Sequence, residues 1–219
     1  MATRQLLAQL SADWRQRSGL EAAFESVGGV DAARRVQAGE PFDVVALASD
    51  AIDRLMAAGC LVPGSRVDLV RSGTSVAVHE GAPLPDLSSE AAVKAAVLAA
   101  RSVSYSTGPS GVALAKRFER WGIADAIKDR IVTPPPGTPV ASLIARGEVE
   151  LGFQQLSELI HVPGIAIAGP LPPAIAIDTI FSAAIGQASA RAGEARALLA
   201  YMASPETADA KRRQGMEPA

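Results

Sequence analysis

The chain has little of what catalytic and metal-binding sites are usually built from. Among its 219 residues are one cysteine, Cys60, and two histidines, His79 and His161. A lone cysteine excludes an internal disulfide and any cysteine-based zinc site. Placed between Gly59 and Leu61, it reads as a small packed hydrophobe. Charge is nearly balanced, 21 Lys and Arg against 23 Asp and Glu, and no basic run forms a patch. Nucleic acid is therefore a poor partner. No apolar stretch reaches the ~20 residues that span a bilayer. No glycine-rich dinucleotide or phosphate loop occurs, and nothing in the sequence calls for a cofactor or a metal. Gly108-Pro109-Ser110-Gly111 is not a nucleophile elbow, because Val112 stands where the last glycine is required. A helix-turn-helix segment and internal repeats are also missing.

What the chain does have is apolar mass, 48% of residues with only 20% charged, enough for a large core in one domain or two lobes. Strand-like and helix-like segments alternate, which implies a three-layer α/β architecture with mainly parallel sheets. Helices are expected from Met1 through Trp14 up to Gly19, over 31–38, from a Ser49-Asp50 cap through Ile52, Leu55 and Met56 up to Gly59, over 91–100, and from Ser110 to Trp121, with glycines such as Gly19, Gly39, Gly59 and Gly147 as stops. Short strands are expected over 22–26, 43–47, 103–105, 149–153 and 165–168. Two long extended stretches, 66–79 (interrupted at Ser72-Gly73) and 175–185, suit crossovers between lobes. The run Pro134 to Pro139 reads as a rigid connector. Lys211-Arg212-Arg213 reads as a solvated helix face.

The most informative segment runs from Ser102 to Trp121. The strand Val103–Tyr105 meets the loop Ser106-Thr107-Gly108-Pro109-Ser110-Gly111, and a helix follows with Leu114, Phe118 and Trp121 on one face. Such a loop opens backbone N–H groups at a helix N-terminus, where negative charge is favoured. It reads either as an anion-binding corner or as an ordinary helix cap.

The order of these pieces resembles the type 2 periplasmic binding proteins, most closely the molybdate-binding branch, over nearly the whole chain. The resemblance is carried by the passage from Val36 through Gly39 to Asp43-Val44-Val45, by Ala48-Ser49-Asp50, and by Gly59 with Gly64-Ser65-Arg66. It continues with Ser110-Gly111 opening a helix that ends Glu119-Arg120-Trp121-Gly122, with Arg146-Gly147-Glu148 before Leu151-Gly152-Phe153, and with Leu198 to Gly215 containing Ser204-Pro205-Glu206. It implies two α/β lobes that close over an oxyanion or small organic acid: lobe 1 from 1–72 plus 176–219, lobe 2 from 73–175. Carried over by position, Gly28 and Gly29 match a ligand loop. Ser106, Thr107, Ser110 and Gly111 match the helix start of lobe 2, and Thr138 falls in the next helix start. Gln155 stands where molybdate binders carry a ligand-contacting tyrosine, with Gln154 beside it.

Departures from the pattern shape the expectation. Gly28-Gly29 lacks a hydroxyl, and the glutamine pair offers mixed donors and acceptors, which suits a carboxylate better than a tetrahedral oxyanion. Arg71, next to Ser72, is a carboxylate partner or a solvated strand residue. The family begins with an apolar strand and a hydroxyl-bearing loop, and this chain begins at Met1-Ala2-Thr3. The expectation is that Met1 is internal to a longer product and that Thr3 is the remnant of that loop or a plain helix cap. On the sequence as it stands the protein is cytoplasmic; with an upstream start it is periplasmic. Two functions stay open. One is a small-anion binder serving an ABC transporter membrane component. The other resembles the aconitate isomerases of this branch, which shift a proton along an allylic tricarboxylate. The second needs a base, and only His161 and Tyr105 offer themselves. His79, at a strand end before Glu80-Gly81, reads as a surface turn residue.

Overall fold

The computed structural model of the protein describes residues 1–135 and 137–219. Pro136, within the expected connector, lies outside the described residues. Helix α1 (Arg4–Ser18) buries Leu6, Leu7 and Leu10 and stops at Gly19, whose φ of 73° would strain any side chain. Then come α2 (Gly29–Gln37), β1 (Val44–Ala48), α3 (Ser49–Ala57) and the long strand β2 (Val67–His79). Helix α4 (Glu90–Ala99) is capped by Ser89, whose Oγ accepts the Ala92 N–H at 3.2 Å. Strand β3 (Val103–Tyr105) leads through a short loop into α5 (Pro109–Arg120), with proline at its first position. The chain continues with α6 (Ala124–Ile127), α7 (Val140–Ala145), β4 (Leu151–Gln155), β5 (Ile165–Pro170) and β6 (Asp178–Ile185). It ends with α8 (Ala192–Ala203), α9 (Ala208–Arg213) and β7 (Glu217–Pro218).

These elements form two compact units, Met1–Ser72 with Thr179–Ala219, and Gly73–Asp178. In the first, strand order runs β1, β6, β2, β7. β6 is antiparallel to β1 (Ala46↔Ala183) and β7 antiparallel to β2 (Val70↔Pro218). One side of its core gathers α1 and α8 through Leu6, Leu10, Leu198 and Met202. Another gathers α2 and α3 through Val36, Ile52 and Leu55. In the second unit the order is β5, β2, β4, β3. Its core packs α4, α5 and α6 on one cluster (Val97, Leu114, Phe118, Ile127, Phe153) and α7 on another (Val140, Ile144, Leu159).

The α/β class and its two lobes agree with the sequence reading, while the strand sense is mixed. β3 and β4 run parallel, joined by a crossover that contains α5. β2 is antiparallel to β4 and to β5, with a bulge at Val76/Ala77. A short apolar run announces burial on both faces but not direction; the connections set direction.

Three expected elements change. Residues 22–26 form no strand. Ala22 and Phe24 pack on the core and Glu25 pairs with Arg35 at 2.7 Å, but no ladder takes up the backbone. β2 runs unbroken through Ser72-Gly73, since a glycine with ordinary φ need not interrupt a strand. The strand expected over 175–185 begins only at Asp178, after a 3-10 turn at Pro173–Ile175. Pro172 and Pro173 bring no N–H to a ladder.

The basic run at 211–213 also divides. Arg212 and Arg213 are exposed, but Lys211 is only 1% exposed, and burial lowers the pKa of its ammonium. A lysine whose folded pKa lies below its unfolded value holds fewer protons when folded, so stability rises as pH climbs between the two values and is lowest beneath both. Lys211→Met is therefore expected to stabilise the protein by about 1–3 kcal/mol at pH 7. The gain should shrink toward pH 10 in paired urea titrations; a pH-independent gain would refute the ionic origin.

Candidate anion-binding site

The parallel pairing of β3 with β4 (Tyr105↔Phe153) brings the carboxyl ends of both strands to one end of the second unit. That is where parallel strands of α/β proteins present ligand groups. Two polar loops emerge there, 106–108 after β3 and 156–158 after β4.

The first loop is shaped by Gly111. A β-carbon on it would lie 1.6 Å from the Ser106 carbonyl oxygen and 3.2 Å from the Tyr105 ring. Only hydrogen fits where the loop folds back on the helix start. The fold-back sets Ser106 Oγ 3.0 Å from Ser110 Oγ. Ser110 is buried and Thr107 exposed. Because α5 starts with Pro109, its first N–H groups are those of Ser110 and Gly111, which by helix geometry have no partner within the helix. Two hydroxyls and two amides thus converge on one helix end, a donor set for an anion. Phe118 anchors this corner, 5.8 Å from Tyr105 and from Trp121 and 6.3 Å from Phe153, centroid to centroid.

The glutamines, adjacent in sequence, separate in space, because successive strand residues face opposite sides. Gln155 is 4% exposed and lies directly across from Thr74 on the side of Phe153 and α5. Thr74 Oγ1 is buried without a hydrogen-bond partner among the described residues. Gln154 faces α7, and its Oε1 accepts the Ala141 N–H at 2.9 Å. The other end of its amide donates to the Glu158 carboxyl. The donor at the start of α7 is thus met from within the protein, and Thr138 N–H bonds the Pro135 carbonyl at 3.0 Å. Gly152 permits this packing: a β-carbon there would stand 2.3 Å from Ile144 Cδ1.

Glu158 and Ser157 went unnoticed in the sequence. Glu158 is half-buried, and burial pushes its carboxyl above the usual range, opposed first by a nearby positive charge and then by the Gln154 hydrogen bond. Ser157 is 7% exposed, and its Oγ has no partner among the described residues. No spacing marks a carboxylate as buried in an irregular turn. Of the two bases the sequence offered, Tyr105 is a packed aromatic whose pKa burial raises, followed by the nearby Glu119 charge. His161 is exposed, as is His79, whose Nδ1 lies 2.8 Å from the Glu80 carbonyl.

In the first unit, Thr3 precedes α1, 7% exposed, without a side-chain capping bond; its carbonyl accepts the Leu7 N–H at 2.8 Å. Gly28 and Gly29 open α2, and β-carbons at either would meet only Asp31 at 3.6 Å or Leu47 at 3.9 Å. Neither glycine is sterically required, and Asp31 already places a carboxylate in that first turn. Arg71 is exposed on β2, across from Glu217. A cavity of about 400 Å³ in this unit is lined by Val36, Phe42, Val45 and Cys60, and its Glu40 is paired with Arg35 at 2.7 Å. That lining suits no anion. Among the described residues no group of three or more His, Cys, Asp or Glu could hold a metal ion.

Comparison with known proteins agrees with this architecture. An aconitate isomerase from a Pseudomonas species is 42% identical over 202 residues, 90% of this chain and 76% of that protein. The periplasmic molybdate-binding protein of Azotobacter vinelandii superposes with a TM-score of 0.81 at 22% identity, covering 98% of this chain and 95% of that one. A periplasmic binding protein of A. tumefaciens R10 in complex with agropinic acid superposes with a TM-score of 0.75 at 14% identity, covering 100% and 80%. The model of the bacterial extracellular solute-binding proteins matches residues 1–217, and the chain belongs to that family.

Proposed function

We propose that this solute-binding protein takes a small polycarboxylate, held in its second unit by the Ser106–Ser110 corner and Gln155. The observation that carries the reading is the convergence of hydroxyl and amide groups at the carboxyl ends of β3 and β4, with Gly111 forced by the fold-back of the loop. Planar carboxylates are bound by such donor sets, and Thr74 Oγ1 adds a buried hydroxyl still open to a bond. Membership of an extracellular family and likeness to periplasmic proteins support a periplasmic place and delivery to an ABC transporter membrane component. A second reading, that the chain isomerises aconitate, is favoured by the 42% identity with an aconitate isomerase.

A thermal-shift screen against molybdate, sulfate, cis- and trans-aconitate and tricarballylate tests the first reading. A ligand at about 100 times its Kd adds about 2.7 kcal/mol. Shifts confined to the carboxylates are expected; a shift with molybdate alone would overturn the carboxylate assignment. Proton NMR of cis-aconitate with the protein then reports any conversion to the trans isomer.

A further inference from the structure

We infer that Glu158 is the proton carrier of this site, a catalytic residue that removes and returns a carbon-bound proton on a bound polycarboxylate. The inference rests on the isomerase reading and names the residue it lacked.

Glu158 sits in the turn that leaves the carboxyl end of β4, the end of the sheet where the Ser106–Ser110 corner also lies. Its carboxyl is half-buried, neither salted out on the surface nor sealed in the core. Its hydrogen bond comes from a neutral amide, that of Gln154. That amide is itself held by the Ala141 N–H at 2.9 Å, and β4 is pressed against α7 at Gly152, so the donor is fixed. A second observation is independent. Ser157, the preceding residue, carries a hydroxyl more than nine-tenths buried and without a partner among the described residues, so this turn has a further polar group to offer a ligand. The partial burial that raises the affinity of Glu158 for a proton is also what a carbon acid requires of its base near neutral pH. Gln154 orients the carboxyl and is a positioning residue.

The step balances with no co-reactant. The Glu158 carboxylate takes a proton from the substrate methylene next to a carboxylate. The electron pair of the broken C–H bond forms a new double bond to the central carbon, and the pair of the original carbon–carbon double bond shifts toward the far carboxylate, giving a dienolate. The Ser106–Ser110 corner donates to the developing charge. The protonated Glu158 returns the proton to the far carbon of the allylic unit, a new C–H bond forms, and the double bond has moved.

The test uses the whole chain, with cis- and trans-aconitate as substrates in deuterated buffer and tricarballylate, which has no double bond, as the binding probe. Glu158→Gln is expected to cut both isomerisation and deuterium uptake about a thousandfold, with the tricarballylate Kd changed less than threefold. Glu158→Asp, which keeps the carboxyl but withdraws it, is expected to lose about ten- to a hundredfold with binding kept; it carries the test if the glutamine variant does not fold. Wild-type turnover in either folded variant would overturn the assignment to Glu158 and leave the isomerase reading standing. A wild-type protein that binds tricarballylate but neither isomerises nor exchanges would overturn both, leaving the binding reading intact.

Discussion

Phe118→Ala is expected to lower the stability of the second unit by about 3–5 kcal/mol and to weaken anion binding with it. Phe118 is 2% exposed, and its ring meets Tyr105 on β3, Phe153 on β4 and Trp121 at the end of its own helix. Removing it opens a cavity where α5 rests on the two parallel strands. The helix start with Ser110 would then lose its fixed distance from the carboxyl ends of those strands. The two tryptophans make the effect separable, since Trp14 lies in the first unit and Trp121 in the second. In a Trp14→Phe background, urea unfolding followed by Trp121 fluorescence should show a lower midpoint. Little change in that midpoint would mean that α5 is held by contacts other than Phe118.

Gly111→Ala should cost about 3 kcal/mol, and ligand affinity should fall at least about tenfold. The added carbon would stand 1.6 Å from the Ser106 carbonyl oxygen and 2.7 Å from its carbon, both backbone atoms that cannot swing aside. The loop must move by well over an ångström, which breaks the Ser106–Ser110 pair. Gly108→Ala is the control. It lies three residues earlier in extended backbone, with its nearest neighbour, Ser106 Oγ, 3.9 Å away, and should leave stability and binding within experimental error. If the two alanine variants behave alike in calorimetric binding of tricarballylate, the corner does not hold the ligand.

Helices were legible because their apolar spacing and their stops are local facts. Leu114 and Phe118 fall four apart and are buried together, and Gly19, Gly59 and Gly147 end their helices with φ between 72° and 73°. The fold-back at Gly111 was legible only as a loop rich in small and hydroxyl residues, since the carbonyl that demands glycine is five residues away. Lys211 looked solvated beside two arginines. Yet Thr207, Ala210 and Lys211 are all buried, at i, i+3 and i+4, so helical spacing carried a signal that the charge run obscured. Gln154-Gln155 read as one amide pair, but strand alternation sends one to Ala141 and Glu158 and sets the other across from Thr74.

By itself the sequence determined the family, the α/β class and the helix ends, because these follow from periodicity, turn chemistry and the order of short motifs. Tertiary structure alone decided the strand sense, the parting of the two glutamines and the burial of Glu158, Ser157 and Lys211. Each of those depends on which distant segment lies alongside: Glu158 and Ser157 lie in an irregular turn with no periodicity to mark them, and the helical spacing at Lys211 shows a shared face but not the remote neighbour that covers it.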